Sequence, residues 1–287
     1  MGLAYIFLSI CCSLAIPQIL KLAETNKLNV LKILVCNYLA GFIISLFNSE
    51  EFSVLPNIYT QFDGWLLVIA IILGIIFIAN MVVYSKSIDR VGMGVSIAAM
   101  RMSLIFPIAV SLFVFGEQIG GLKYAGIVLA LGSLLLMVPR IHTKGLSGIS
   151  DAWLPVLIFL MTGLADTGLK VYERLYSTQI SEDLFVSGIF FISFLVGIVI
   201  LLKREKLRFT FKEVGYGIAT GIVNLYSSIF LIYALKLMPG SIVFPLVNVS
   251  LVVFGTFIGI WFWKDRPSIK QWTGLAIAII SIFLLLG

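Results

Sequence analysis

Residues 84–126, YSKSIDRVGMGVSIAAMRMSLIFPIAVSLFVFGEQIGGLKYAG, decide the fold, because their arrangement returns at 233–274 as YALKLMPGSIVFPLVNVSLVVFGTFIGIWFWKDRPSIKQWTG. Tyr84 recurs as Tyr233 at an offset of 149, while Glu117 is answered by Asp265 and Gly126 by Gly274 at an offset of 148. Upstream of the quoted stretch, Lys21 recurs as Lys170, again 149 residues on. Several matches in order at one period mark an internal duplication, with one deletion in the second copy.

Working outward, each copy resolves into five apolar stretches. The first holds residues 3–22, 31–47, 64–84, 93–115 and 119–138, and the second 152–171, 184–202, 214–236, 240–262 and 268–286. Each is close to the ~20 residues a bilayer crossing requires. In lipid every backbone N–H and C=O must be paired within its own segment, so each is expected to be a helix. An odd number of crossings inserts the second copy upside down. The expected fold is an all-α membrane protein of ten transmembrane helices, arranged as two inverted five-helix repeats. The first repeat covers 1–140, a short linker 141–151, and the second repeat 152–287.

Hydrophobic residues make up 60% of the chain and charged residues 12%, about half the charged share of a soluble domain. The net charge of +6 would suit nucleic acid, but its distribution argues for a membrane instead. Lys21, Lys27, Lys32, Lys86, Arg90, Arg140, Lys144, Lys203, Arg204, Lys206, Arg208, Lys212, Lys264, Arg266 and Lys270 fall on one side of the expected topology. Lys123, Lys170, Arg174 and Lys236 fall on the other, and Arg101 lies within a span. The positive-inside rule then puts the first set in the cytoplasm and both termini outside, in a prokaryotic inner or plasma membrane.

Other function classes lack their signatures. No HExxH, GxSxG or GxxxxGK[ST] is present, and the sole histidine, His142, lies in a basic connection, so neither a membrane-embedded enzyme nor an ATP-driven pump is expected. Cys11, Cys12 and Cys36 sit within spans at spacings that suggest neither a disulfide framework nor a metal site. No metal or cofactor is expected. The amino terminus has neither the basic region nor the cleavage site of a signal peptide.

Five plus five short spans, a lysine closing spans one and six, and an acidic residue opening the connection into spans five and ten resemble the EamA-type transporters of the drug/metabolite transporter superfamily. The resemblance covers essentially the whole chain and rests most on Tyr84 to Gly126, with Pro107 and Glu117, and on Tyr233 to Gly274, with Asp265 and Pro267. It implies transport of a small molecule without naming it, since one scaffold hosts many cargoes. Asp265 departs from the more usual glutamate, and Arg101 and Asp166 match no hallmark of the family.

Polar groups within the spans are the candidate site. Arg101 stands about eight residues into span four, ~12 Å from its start at ~1.5 Å per residue. A guanidinium at that depth costs at least ~3 kcal/mol and should face the bundle interior. Its fork suits a carboxylate or phosphate, and a permanent ion pair with Asp166 is the alternative use. Asp166 precedes Lys170 by one turn, which predicts an i,i+4 pair; a buried Asp166 that titrates would instead couple transport to protons. Lys21 and Lys170 read as snorkelling anchors. Gln18, Asn37, Asn80, Tyr84, Asn224, Tyr226 and Asn248 either bind neighbouring helices or line a central cavity. Pro107 and Pro245 are hinge candidates. Gly217 with Gly221 and Gly255 with Gly259 form small-xxx-small spacings, read first as tight packing and second as a homodimer face. Spans five and ten, nearly devoid of polar side chains beyond their first turns except for Ser133 and Ser281, are expected to pack outside the cavity or form a subunit contact.

The function these residues point to is a secondary transporter, most simply an exporter of amino acids or related anionic or zwitterionic metabolites, working by alternating access. Its partners would be the lipid bilayer and a small-molecule cargo, with no nucleic acid. A flippase for lipid-linked head groups is the runner-up.

Overall fold

The computed structural model describes residues 1–49, 64–137, 151–204, 208–264 and 266–287. Expectations placed on Arg140, His142, Lys144, Lys206, Asp265 and the linker up to residue 150 lie outside the described residues. All regular elements among those described are helical. They are α1 (Gly2–Thr25), α2 (Val30–Asn48), α3 (Gly64–Arg90), α4 (Met93–Met102), α5 (Ile105–Ala109), a π-helical turn (Val110–Val114), α6 (Gly121–Met137), α7 (Trp153–Tyr176), α8 (Glu182–Arg204), α9 (Phe211–Leu237), α10 (Gly240–Trp263) and α11 (Ile269–Leu286).

Nine helical stretches among the described residues are long and apolar enough to cross a membrane, which makes this a multi-pass membrane protein. The tenth expected span, 119–138, is α6, a helix of 17 residues. At ~1.5 Å per residue it reaches ~26 Å, a little under the ~30 Å hydrocarbon core.

Span four is interrupted. Pro107 has no N–H for the Ser103 carbonyl, and its ring crowds the preceding turn. The chain therefore breaks at Ser103–Leu104, where the Phe106 N–H reaches back three residues to the Ser103 carbonyl at 3.0 Å, before α5 and the π turn resume. Pro245 behaves differently: it sits in the second turn of an unbroken α10, so the carbonyl it leaves without its helical donor is that of Ser241, in the first turn.

Two compact units emerge, and neither coincides with a sequence half. One holds residues 3–79 and 171–236 with Met1; the other holds 80–170 and 237–287 with Gly2. Helices α3 and α7 each contribute to both.

In the first unit α2 and α8 run antiparallel. Gly41 lies against the Phe190 ring and Gly197 against Val35, while the Ser45 hydroxyl donates to the Asp183 carbonyl at 2.7 Å. Helix α9 meets α2 so closely that Gly217 abuts Cys36 and Gly221 abuts the Asn37 backbone. At one end of this unit the Asn29 N–H donates to Glu213 at 3.3 Å and the Lys32 ammonium to the Arg208 carbonyl at 2.9 Å. At the other, Lys236 pairs with Glu182. The first turns of α2 and α9 thus share one end of this unit, and their last turns the other.

In the second unit α6 and α11 run antiparallel. Gly126, early in α6, lies against Leu284 and Leu285, late in α11; Gly274, early in α11, lies against Leu136 and Met137, late in α6. Ser133 donates to the Ala130 carbonyl at 2.7 Å and Ser281 to the Ala278 carbonyl at 2.8 Å, so both hydroxyls are satisfied within their own helices. Spans five and ten pack on one another, and with Val249 and Val253 of α10 they enclose an apolar core around Ala130, Leu275 and Ala278.

Candidate functional site

The residues singled out from the sequence divide between the two units. Gln18, Asn37, Asn224 and Tyr226 belong to the first; Asn80, Tyr84, Arg101, Pro107, Asp166, Pro245 and Asn248 belong to the second.

In the first unit Asn224 Nδ2 donates to Asn37 Oδ1 at 3.2 Å, where the glycines of α9 let the helix backbones touch. Asn37 is fully enclosed at 0% exposure, and its own Nδ2 has no hydrogen-bond partner among the described residues. This amide pair bridges two helices at their tightest contact. Tyr226 stacks on Phe230 with centroids 5.7 Å apart, and its hydroxyl lies 3.4 Å from the Asn48 amide.

The second unit gathers the charged groups. Arg101, half-buried on α4, donates from Nη1 to Asn248 Oδ1 at 3.2 Å. The Asn248 amide is itself oriented, since its Nδ2 donates to the Phe244 carbonyl one turn earlier at 3.1 Å. Tyr84 and Asp166 lie near enough to act on Arg101 electrostatically. The hydrogen bond of the guanidinium nevertheless goes to a neutral amide, so the Arg101–Asp166 ion pair gives way to an arrangement in which the partner cancels no charge. Asn80 Nδ2 donates to the Thr162 hydroxyl at 3.0 Å, leaving Asn80 Oδ1 buried without a partner among the described residues. Thr162, one turn before Asp166 on α7, has no signal in the sequence beyond being polar within a span. Phe106 packs against Phe159, centroids 5.0 Å apart, and against Gly163, which seats α5 on α7.

Lys170 corrects the sequence reading twice. It is only 3% exposed and therefore no snorkelling anchor. Its partner is Glu117, Oε1 to Nζ at 2.9 Å, rather than Asp166 one turn away. Glu117 also caps α10, accepting from the Gly240 N–H at 2.9 Å, the Ser241 N–H at 2.9 Å and the Ser241 hydroxyl at 2.7 Å. Local sequence builds this. The π turn closes with the Phe115 N–H on the Val110 carbonyl and the Glu117 N–H on the Ser111 carbonyl. Gly116 then takes φ +64, a left-handed conformation that glycine adopts without steric cost, and the chain turns Glu117 toward α10. Burial pushes the Glu117 carboxyl upward, but the Ser241 N–H and hydroxyl, the Lys170 ammonium and the Gly240 N–H outweigh it and hold the group below its ordinary value. It is an anion neutralised by a cation and by the positive end of a helix.

Residues 153–287 match the EamA-like transporter family, a family of membrane transporters. An uncharacterized protein of Haemophilus influenzae is 24% identical, over 96% of this chain and 95% of its own length. A solved structure described as a crystal structure of a protein superposes with a TM-score of 0.75 at 10% identity, covering 99% of this chain and 95% of that one; that likeness concerns the fold alone.

Proposed function

We propose that this chain, whose residues 153–287 carry the EamA-like transporter domain, is a secondary transporter that exports small metabolites bearing a carboxylate, amino acids or related zwitterions among them. The observation that carries this reading is the Arg101 guanidinium, deep in a span yet hydrogen-bonded to the neutral Asn248 amide. A cation brought into a membrane interior is costly, and one left uncancelled by its partner is available to an anionic cargo. The remaining donors of the fork then bind the cargo carboxylate, with Asn80, Tyr84 and Asn248 as neutral neighbours and Asp166 as the acceptor for an ammonium group or a coupling proton.

Alternating access is supported by the antiparallel packing of α2 on α8 and of α6 on α11, which are the second and fifth spans of each sequence copy paired with their counterparts. Inverted repeats can exchange conformations about a fixed site, and Pro107 marks where span four bends. The charge bias supports a cell-membrane protein with both termini outside. The lipid bilayer and a small-molecule cargo are its partners in this reading.

The test is untargeted mass spectrometry of spent medium from cells expressing the wild type or Arg101→Ala at matched membrane levels. One or a few carboxylate-bearing metabolites should accumulate only with the wild type. Identical profiles from both proteins and from empty cells would remove the export reading and move import or lipid flipping ahead.

A further inference from the structure

The Glu117 clamp is more elaborate than a helix cap needs. An N-cap side chain ordinarily accepts from one of the four free N–H groups at a helix start, whereas here one carboxylate takes two backbone N–H groups, a hydroxyl and a lysine ammonium. It ties together three elements: the connection following the π turn, the start of α10, and α7 through Lys170. Helix π turns are frequent at functional positions, and this one lies between Pro107 and the clamp.

Two further observations set the clamp apart from static packing. The Ser111 hydroxyl is fully buried and has no hydrogen-bond partner among the described residues, although its oxygen would lie 2.6 Å from a Cβ placed on Gly240. The Thr167 hydroxyl, one turn below Lys170, is likewise buried without a described partner. Unpaired buried hydroxyls are costly and uncommon in a final resting arrangement. A second arrangement of the same elements that pairs them would account for their retention.

We infer that Glu117 and Lys170 form the lock of a gate: the carboxylate holds α10 and α7 together at one membrane face, and the transport cycle requires this lock to open. The inference rests on the transport reading above and adds to it the moving part. By the charge bias the gated face is the outer one, through which an exported cargo leaves. Opening exchanges the four bonds to Glu117 for bonds to water, and the Gly240 and Ser241 N–H groups become solvated helix-end donors. The apolar length of the Lys170 side chain, pressed against Gly240 with its Cε 3.0 Å from a Cβ placed there, leaves with α7.

The test reads the gate without any cargo. Thr167→Cys is placed in a protein whose Cys11, Cys12 and Cys36 are replaced by alanine, and its labelling by a membrane-impermeant maleimide is followed in right-side-out and inside-out vesicles. With the lock intact, labelling from the face bearing Glu117 is slow. Glu117→Gln puts an amide donor where two backbone donors already point, and Lys170→Met keeps the apolar stem without the charge. Each should speed labelling from that face by about tenfold, the equilibrium worth of one lost charged hydrogen bond, and the double variant should add little because both changes open one lock. The swap Glu117→Lys with Lys170→Glu restores the ion pair but not the cap, since an ammonium accepts no hydrogen bond, and should label as fast as the single variants.

Unchanged rates in folded Glu117→Gln and Lys170→Met would overturn the inference, and so would slow labelling in the swapped pair. A rate equal to that of detergent-denatured protein reports unfolding of that variant, and the decision then falls on the other. If medium analysis finds no exported metabolite while labelling rises as expected, the export reading fails and the lock stands; an exported metabolite with unchanged labelling means the reverse.

Discussion

Gly221→Ala opposes two effects of different sign, which makes it a decisive perturbation. In an unpacked helix the change stabilises by up to ~1 kcal/mol, because alanine is the better helix former. At position 221 the added Cβ would sit 2.6 Å from the Asn37 carbonyl oxygen, 3.0 Å from Ala40 Cβ and 3.3 Å from Asn37 Cα. Carbon contacts settle near ~3.5 Å, and the obstructing atoms are mostly backbone, so no rotamer change relieves them. Helices α2 and α9 must separate by roughly 0.8 Å. That would carry the Asn224–Asn37 hydrogen bond from 3.2 Å out of range, a loss of ~0.6 kcal/mol for a membrane interior. Overpacking itself costs about 1–3 kcal/mol. Net destabilisation of about 1–2 kcal/mol follows once the propensity gain is subtracted. Gly215 provides the control on the same helix, because a Cβ there meets nothing within 4 Å and Gly215→Ala should be neutral or stabilising. Reversible unfolding in mixed micelles, followed by helical circular dichroism, reads both. A Gly221→Ala protein at least as stable as the wild type would refute the close α2–α9 contact and the packing role given to Asn37 and Asn224.

Other expectations follow from the second unit. Arg101→Lys keeps the charge but loses the fork, and export by that variant should fall by about tenfold or more while its membrane level holds, as measured by metabolite accumulation in the medium. Asn248→Asp hands the guanidinium a carboxylate partner, so it should raise the melting temperature in detergent and abolish export together. Glu117 is held below its ordinary value of 4.5, so its contribution to stability is present above that pH and is lost as pH falls through the lower folded value; melting curves of wild type and Glu117→Gln should differ at neutral pH and converge in acid. A cysteine placed at Lys212 in a cysteine-free background should resist impermeant reagents in intact cells and react in inside-out vesicles, and ready labelling from outside would reverse the topology.

Much of the architecture was legible because the properties behind it are local. Hydropathy adds along a segment, and a crossing must be a helix whatever lies beside it; hence the apolar stretches read from the letters reappear as helices, down to the short α6. The polar groups within spans were legible for the same reason: burial makes each one expensive regardless of its neighbours. Even the reciprocal seats of Gly126 and Gly274 had left a trace, as glycines 148 residues apart.

Partner choice was not legible. Lys170 lies one turn from Asp166, and on a lone helix that spacing suffices for an ion pair. In the folded chain it goes to Glu117 instead, because that carboxylate is already fixed by the Gly240 and Ser241 donors and by the turn at Gly116, so no further side chain has to be ordered to complete the pair. Arg101 likewise takes Asn248, 147 residues away, rather than the nearer-seeming acid. The two compact units drew on both halves of the sequence for a similar reason. Close approach of helix backbones at Gly41, Gly217, Gly221, Gly126 and Gly274 depends on the shape of the facing surface, and no run of letters carries that shape. By itself the sequence determined which segments are long and apolar enough to cross a membrane, which polar residues lie within them and which end of each segment is basic, since these are sums over neighbours along the chain. Only the tertiary structure decided which charge meets which, and where a gate could form, since these depend on surfaces brought together from opposite ends of it.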